Sequence, residues 1–88
     1  MKKNEIELKV KEAVIATLGK KVELKETDSL IANLGFNSLR MVSLSLALED
    51  QFGRPLLLNE WISQCEDPRL LTVGSLSAYV QEVLSGAN

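Results

Sequence analysis

An all-α fold follows from three features of this 88-residue sequence. Apolar residues recur at helical spacing in two segments and crowd a third, and glycine stands just past the end of each. No run of four to eight residues alternates cleanly with β-branched enrichment, and Val22-Glu23-Leu24 is too short for a strand. The architecture expected is a bundle of three main helices and one short one, with a long first connection.

The first helix rests on Ile6, Val10, Ala13, Val14 and Leu18, which fall on one helical face. Lys9, Lys11 and Glu12 lie on other faces. Gly19 is placed to end it, since glycine is favoured just past a helix C-terminus. Residues 20–37 then read as a long polar connection. Its apolar members, Val22, Leu24, Leu30, Ile31, Leu34 and Phe36, are expected to pin it onto the core. Ordered connections of this length are often functional. Thr27 and Asp28 suit a short turn within it.

A second helix is expected from Ser38, with Asn37 as its N-cap, because an asparagine side-chain oxygen can accept a free N–H of the first turn. Leu39, Met41, Val42, Leu44, Leu46, Ala47 and Leu48 are too many for one stripe. Such a helix is either central to a bundle or presents a second apolar face outward. Gly53 ends it and Pro55 blocks its continuation. Asn59 is expected to cap a short helix over residues 60–65, with Glu60 in its first turn, and Asp67-Pro68 breaks it. Thr72 caps the last helix, built on Val73, Leu76, Val80, Val83 and Leu84 with Tyr79 beside them, and Gly86 stops it. With no repeat and no low-complexity tract, residues 1–88 read as a single domain.

Composition narrows the function. Hydrophobic residues make up 45% and charged residues 25%, as in ordinary soluble domains. No stretch of ~18 apolar residues is present to insert in a membrane, and the N-terminus has no apolar signal region. The single cysteine, Cys65, excludes an intrachain disulfide. Together these point to a cytoplasmic protein. Residues 1–25 carry seven lysines and four glutamates, whereas residues 26–88 carry three arginines and eight acids. An acidic body argues against a nucleic-acid ligand. The lysines read as a solvated helix face, or as a contact for an acidic partner.

The chain has no histidine, which removes serine–histidine and cysteine–histidine catalysis and histidine metal sites. No phosphate-binding glycine loop or nucleophile elbow is present. The pairs Glu49-Asp50 and Glu66-Asp67 read as surface charges, and no metal site is expected. Cys65 reads as a small, partly buried apolar residue. Ser38 is therefore not an activated nucleophile of the protein's own. An exposed hydroxyl at a helix N-terminus does suit an attached phosphodiester, because free N–H groups and the positive dipole end favour an anion.

The stretches DSLIANLGFNSL (28–39), MVSLSLALEDQF (41–52) and TVGSLSAYV (72–80) together resemble the acyl carrier protein family. That family's motif is Leu-Gly-x-Asp-Ser-Leu, with the serine esterified by 4′-phosphopantetheine. Here it reads Leu34-Gly35-Phe36-Asn37-Ser38-Leu39. The resemblance covers nearly the whole chain and implies a four-helix bundle of acyl-carrier type. It implies Ser38 as the attachment residue, Asn37 in the place of the aspartate, Gly35 as the turn that exposes them, and Leu39, Met41 and Val42 beside the arm. Arg40, Met41, Val42, Glu49 and Asp50 become the expected partner-binding residues on helix two.

The resemblance also implies a mechanism. A phosphopantetheinyl transferase would load the arm from coenzyme A. Its thiol would hold acyl or aminoacyl groups as thioesters for a loading ligase and acyl-processing enzymes. The protein would be a monomeric carrier and not an enzyme. This sequence departs from the family's pattern at three places. Asn37 caps as well as aspartate but lacks its charge. Arg40, Ser43 and Ser45 stand where fatty-acid carriers commonly have acids. Residues 53–71 are longer than usual and carry Trp61 and Cys65, Trp61 being either core or part of an acyl or partner surface. These departures favour a specialised fatty-acid, polyketide or related pathway. Two other readings stand beside it. One is a carrier-like protein that is never modified. The other is an unrelated helical module whose binding face is Leu39, Met41 and Leu44, with Ser38 only capping a helix.

Overall fold

The computed structural model describes residues 2–86. Four α-helices form in the order α1 (Lys3–Leu18), α2 (Ser38–Phe52), α3 (Leu58–Gln64) and α4 (Val73–Leu84), with a 3₁₀ turn at Pro68–Leu70 before α4. Among the described residues, pairing of extended chain is limited to one bridge between Ser29 and Thr72. The all-α expectation holds.

Ile6, Val10, Ala13 and Val14 of α1 are buried, as their spacing requires, and Leu18 packs against them partly covered. Gly19 takes the left-handed conformation (φ 75°) and its N–H closes the helix on the Ile15 carbonyl. Met41, Leu44 and Leu48 bury one face of α2, and Val73, Leu76 and Val80 do the same for α4. Helices α1 and α2 run antiparallel. The end of α1 meets the start of α2 where Arg40 Nη1 donates to the Thr17 carbonyl at 2.6 Å. At the other end Lys9 Nζ lies 5.7 Å from the centre of the Phe52 ring.

The connection over residues 19–37 is ordered by two turns and three apolar anchors. Lys25–Asp28 closes on itself: the Lys25 N–H donates to Asp28 Oδ2 and the Asp28 N–H to the Lys25 carbonyl. In the next turn Ser29 Oγ accepts the Ala32 N–H, while Asn33 Oδ1 accepts the Ser29 N–H. Leu24, Leu30 and Phe36 are buried, and Val22 and Leu34 pack against the core. Ile31 does not join them and is exposed on the outer side of that turn.

The start of α3 differs from the sequence expectation. Asn59 is not its cap. The helix begins two residues earlier, after Leu57, which adopts a left-handed conformation (φ 51°) and has no side-chain cap. Its carbonyl accepts the Glu60 N–H and the Tyr79 hydroxyl, and Tyr79 also donates to the Leu56 carbonyl. Those bonds hold a conformation that leucine otherwise avoids. Trp61 stacks on Tyr79 with ring centres 5.9 Å apart and packs partly buried against the core. Cys65 closes α3 rather than lying inside it, and its half-buried thiol donates to the Asp67 carbonyl.

Two outcomes follow. Leu44→Ala, at a fully buried site, lowers unfolding free energy by about 2–5 kcal/mol in a denaturant titration. Leu46→Ala on the exposed side of the same helix shifts it by no more than about 0.5 kcal/mol. Tyr79 is the single tyrosine, and burial, then the Glu60 charge, raises its hydroxyl above the ordinary value. Its phenolate absorbance therefore appears at higher pH than that of free tyrosine. The protonated form is the one the fold favours. Its contribution to stability is complete below about pH 10 and is lost as pH rises through the higher folded value.

Candidate functional site

The end of the long connection sets the first turn of α2. Phe36 is buried and its N–H donates to the Leu30 carbonyl at 2.8 Å, which anchors the chain two residues before Ser38. Gly35 precedes it at φ 71°, a left-handed conformation that other residues adopt only with strain. Asn37 is extended, and its Oδ1 accepts the Arg40 N–H at 2.9 Å. The Asn37 carbonyl accepts the Met41 N–H and starts the helix.

Ser38 is exposed, and its hydroxyl makes no hydrogen bond among the described residues. The N–H groups of Ser38 and Leu39 also have no protein acceptor there. Helix α4 shows the contrast. Thr72 caps it as Asn37 caps α2, its Oγ1 accepting the Ser75 N–H. The next two N–H groups, of Val73 and Gly74, are taken by the Asp28 and Glu26 carbonyls of the long connection. One helix N-terminus is thus closed by backbone, and the other is open with a hydroxyl beside it. The first turn of α2 holds no acid, so nothing there opposes an anion at its positive end. A serine oxygen in this setting can carry a phosphoester with two N–H donors free to face it.

Arg40 is more than a free surface charge. Its hydrogen bond to the Thr17 carbonyl, across 23 residues, places a cation at the C-terminal end of α1, whose last turn has no basic residue of its own. A shallow depression of about 210 Å³ lies along this junction, lined by Thr17, Asn37, Leu39, Arg40 and Ser43. A larger one of about 530 Å³, lined by Arg54, Leu57, Glu60, Tyr79 and Glu82 among others, includes none of the residues singled out from the sequence as the site.

The expected partner-binding set divides. Val42 and Asp50 are exposed. Met41 is not a surface residue: it is buried with Leu44 in the core, because both lie on the side of α2 that faces the bundle. This correction also removes the interaction face of Leu39, Met41 and Leu44, of which Leu39 alone is exposed. Glu49 is half-buried, and its Oε2 accepts the Leu56 N–H at 3.4 Å, so it folds back on the chain. Leu46, not singled out from the sequence, is exposed in line with Leu39 and Val42. The signal for it was the surplus of apolar residues on α2. No group of three or more side chains suited to hold a metal occurs among the described residues.

Asn37→Ala removes the cap and lowers stability by about 1 kcal/mol, whereas Asn37→Asp keeps it within a few tenths, read by thermal unfolding.

Among the described residues no helix is long and apolar enough to cross a membrane. No curated protein and no solved structure matches the chain. A family model described as a phosphopantetheine attachment site matches residues 9–80, from within α1 to within α4, and the chain belongs to that family of carrier domains.

Proposed function

We propose that this chain, acting over residues 1–88 as one monomeric cytoplasmic domain, is an acyl carrier protein with Ser38 as its attachment residue. The family holds 4′-phosphopantetheine as a covalent group, and its members are carriers rather than catalysts. The observation that carries the assignment to Ser38 is its unpartnered hydroxyl at the open N-terminus of α2, within the matched residues.

In the attachment, Ser38 Oγ forms a bond to phosphorus as the phosphoanhydride bond of coenzyme A breaks and the bisphosphoadenosine half departs. The serine proton passes to a base on the phosphopantetheinyl transferase, since this chain has no histidine to take it. The N–H groups of Ser38 and Leu39 then face the phosphodiester, and Asn37 keeps the helix end in register through its bond to the Arg40 N–H. Gly35 supplies the turn that exposes the pair. Bound at Ser38, the arm supplies a thiol that holds an acyl or aminoacyl group as a thioester. The protein's own part is position and recognition. Val42 and Asp50 present α2 to the loading ligase and acyl-processing enzymes, with Arg40 steadying its first turn against α1. A face so poor in acids fits a specialised fatty-acid, polyketide or related pathway better than a partner set selected by basic patches.

Incubation with coenzyme A, magnesium and a promiscuous phosphopantetheinyl transferase should add the mass of one arm to the intact protein, and Ser38→Ala should add none. An unchanged mass with several transferases would leave the chain as an unmodified, carrier-like interaction module.

A further inference from the structure

We infer that the depression between the end of α1 and the start of α2 seats the first half of the phosphopantetheine arm, the branched part next to the phosphate. The inference rests on Ser38 as the attachment residue. Thr17, Asn37, Leu39, Arg40 and Ser43 line this depression. Asn37 and Leu39 flank Ser38 in the chain, so its rim borders the serine. Leu39, Arg40 and Ser43 share one face of α2, because residues three and four apart on a helix are neighbours. Thr17 of α1 forms the wall across from them.

The lining matches the arm's chemistry. Beyond its phosphate the arm bears a carbon with two methyl groups, then a hydroxyl and an amide carbonyl. Leu39 is 75% exposed and offers the methyl groups an apolar surface. Arg40 gives one N–H to the Thr17 carbonyl, and its other guanidinium N–H groups have no acceptor among the described residues. That one bond holds the guanidinium across the junction, so its remaining donors are in place before the arm arrives. The Ser43 hydroxyl is exposed and also unpartnered there. The hydroxyl and carbonyl oxygens of the arm are acceptors for both. No acid is among these lining residues, so none of them repels the phosphate at the rim. An apolar surface with a few converging polar groups is the ordinary make-up of a small-molecule site.

Size and distance set the limit. The volume of about 210 Å³ is that of roughly seven waters at ~30 Å³ each. It admits the branched half of the arm and leaves the thiol half, with its thioester, outside. The larger cavity of about 530 Å³ is lined from Arg54 onward, beyond the end of α2. That is roughly 22 Å of helix from Ser38, out of reach of atoms next to the phosphate. An arm held at its base and free at its tip sweeps less space, which raises the effective concentration of its thiol beside Ser38.

The test is nuclear magnetic resonance on the loaded protein, prepared with coenzyme A and a promiscuous phosphopantetheinyl transferase and verified by intact mass. Nuclear Overhauser contacts should run from the arm's methyl protons to Leu39 and Thr17. The amide signals of Thr17 and Ser43 should shift between unloaded and loaded protein. Ser43→Phe, which fills the depression with a ring at an exposed position, should take up the arm yet lose these contacts and the Thr17 shift. Leu8→Phe, exposed on α1 outside the depression, should keep them, and circular dichroism of both variants should match the parent. Methyl contacts to Trp61 or Ile62 of α3, or to no protein proton at all, overturn the seat. So do contacts in loaded Ser43→Phe that equal those of the parent. A parent that gains no arm overturns the attachment residue and the seat together, whereas a loaded parent without the contacts overturns the seat alone.

Discussion

The geometry of this protein depends on where the long connection places its carbonyls. Helices α1 and α2 are antiparallel neighbours, yet residues 19–37 lie between them, far more chain than the gap needs. The excess has to be held down. Glu26 and Asp28 give their carbonyls to the first turn of α4, and the Leu30 N–H takes the Leu71 carbonyl in return. Buried Leu30 and Phe36 complete the attachment. The carbonyls that close a helix start are thus those of Glu26 and Asp28, and they are given to α4. The start of α2 receives no such bond from the connection and stays open.

Helix α2 works in two directions at once. Its inner residues, Met41, Leu44 and Leu48, supply part of the core. Its outer residues supply an aliphatic line with few charges beside it. The two demands explain why its sequence is apolar nearly all round, and why removing either face would leave a different molecule. Loss of the inner face is a loss of fold. Loss of the outer face leaves the fold intact and changes what can approach it.

Much of this was legible from local sequence. Gly19 and Gly53 end their helices, and Asn37 and Thr72 cap theirs, because a cap is a contact between residues three or four apart. Ser38 and its glycine turn were legible for the same reason, helped by the resemblance to a known motif. The features that escaped were set by distant partners. Leu57 starts α3 in a strained conformation because Tyr79, from another helix, holds its carbonyl. Arg40 was expected on a partner-binding surface, and its bond to the Thr17 carbonyl exists only once α1 is folded beside it. Met41 and Leu46 are equally apolar in sequence, and only the direction of the core, which no local pattern gives for a helix apolar all round, assigns one inward and one outward.

Gly74 ties these observations to motion. A Cβ there would sit 3.1 Å from the Glu26 carbonyl oxygen, so the connection and the last helix touch backbone to backbone. Neither can separate without the other giving up its hydrogen bonds at Val73 and Gly74. By that contact the connection and the first turn of α4 are suited to open as one cooperative unit, whose amides would share one opening free energy. The Leu30 N–H, bonded to the Leu71 carbonyl, extends the contact toward Phe36, whose own N–H bonds to the Leu30 carbonyl. The beginning of the last helix is thereby joined to the approach to the second, through a stretch of chain that belongs to neither.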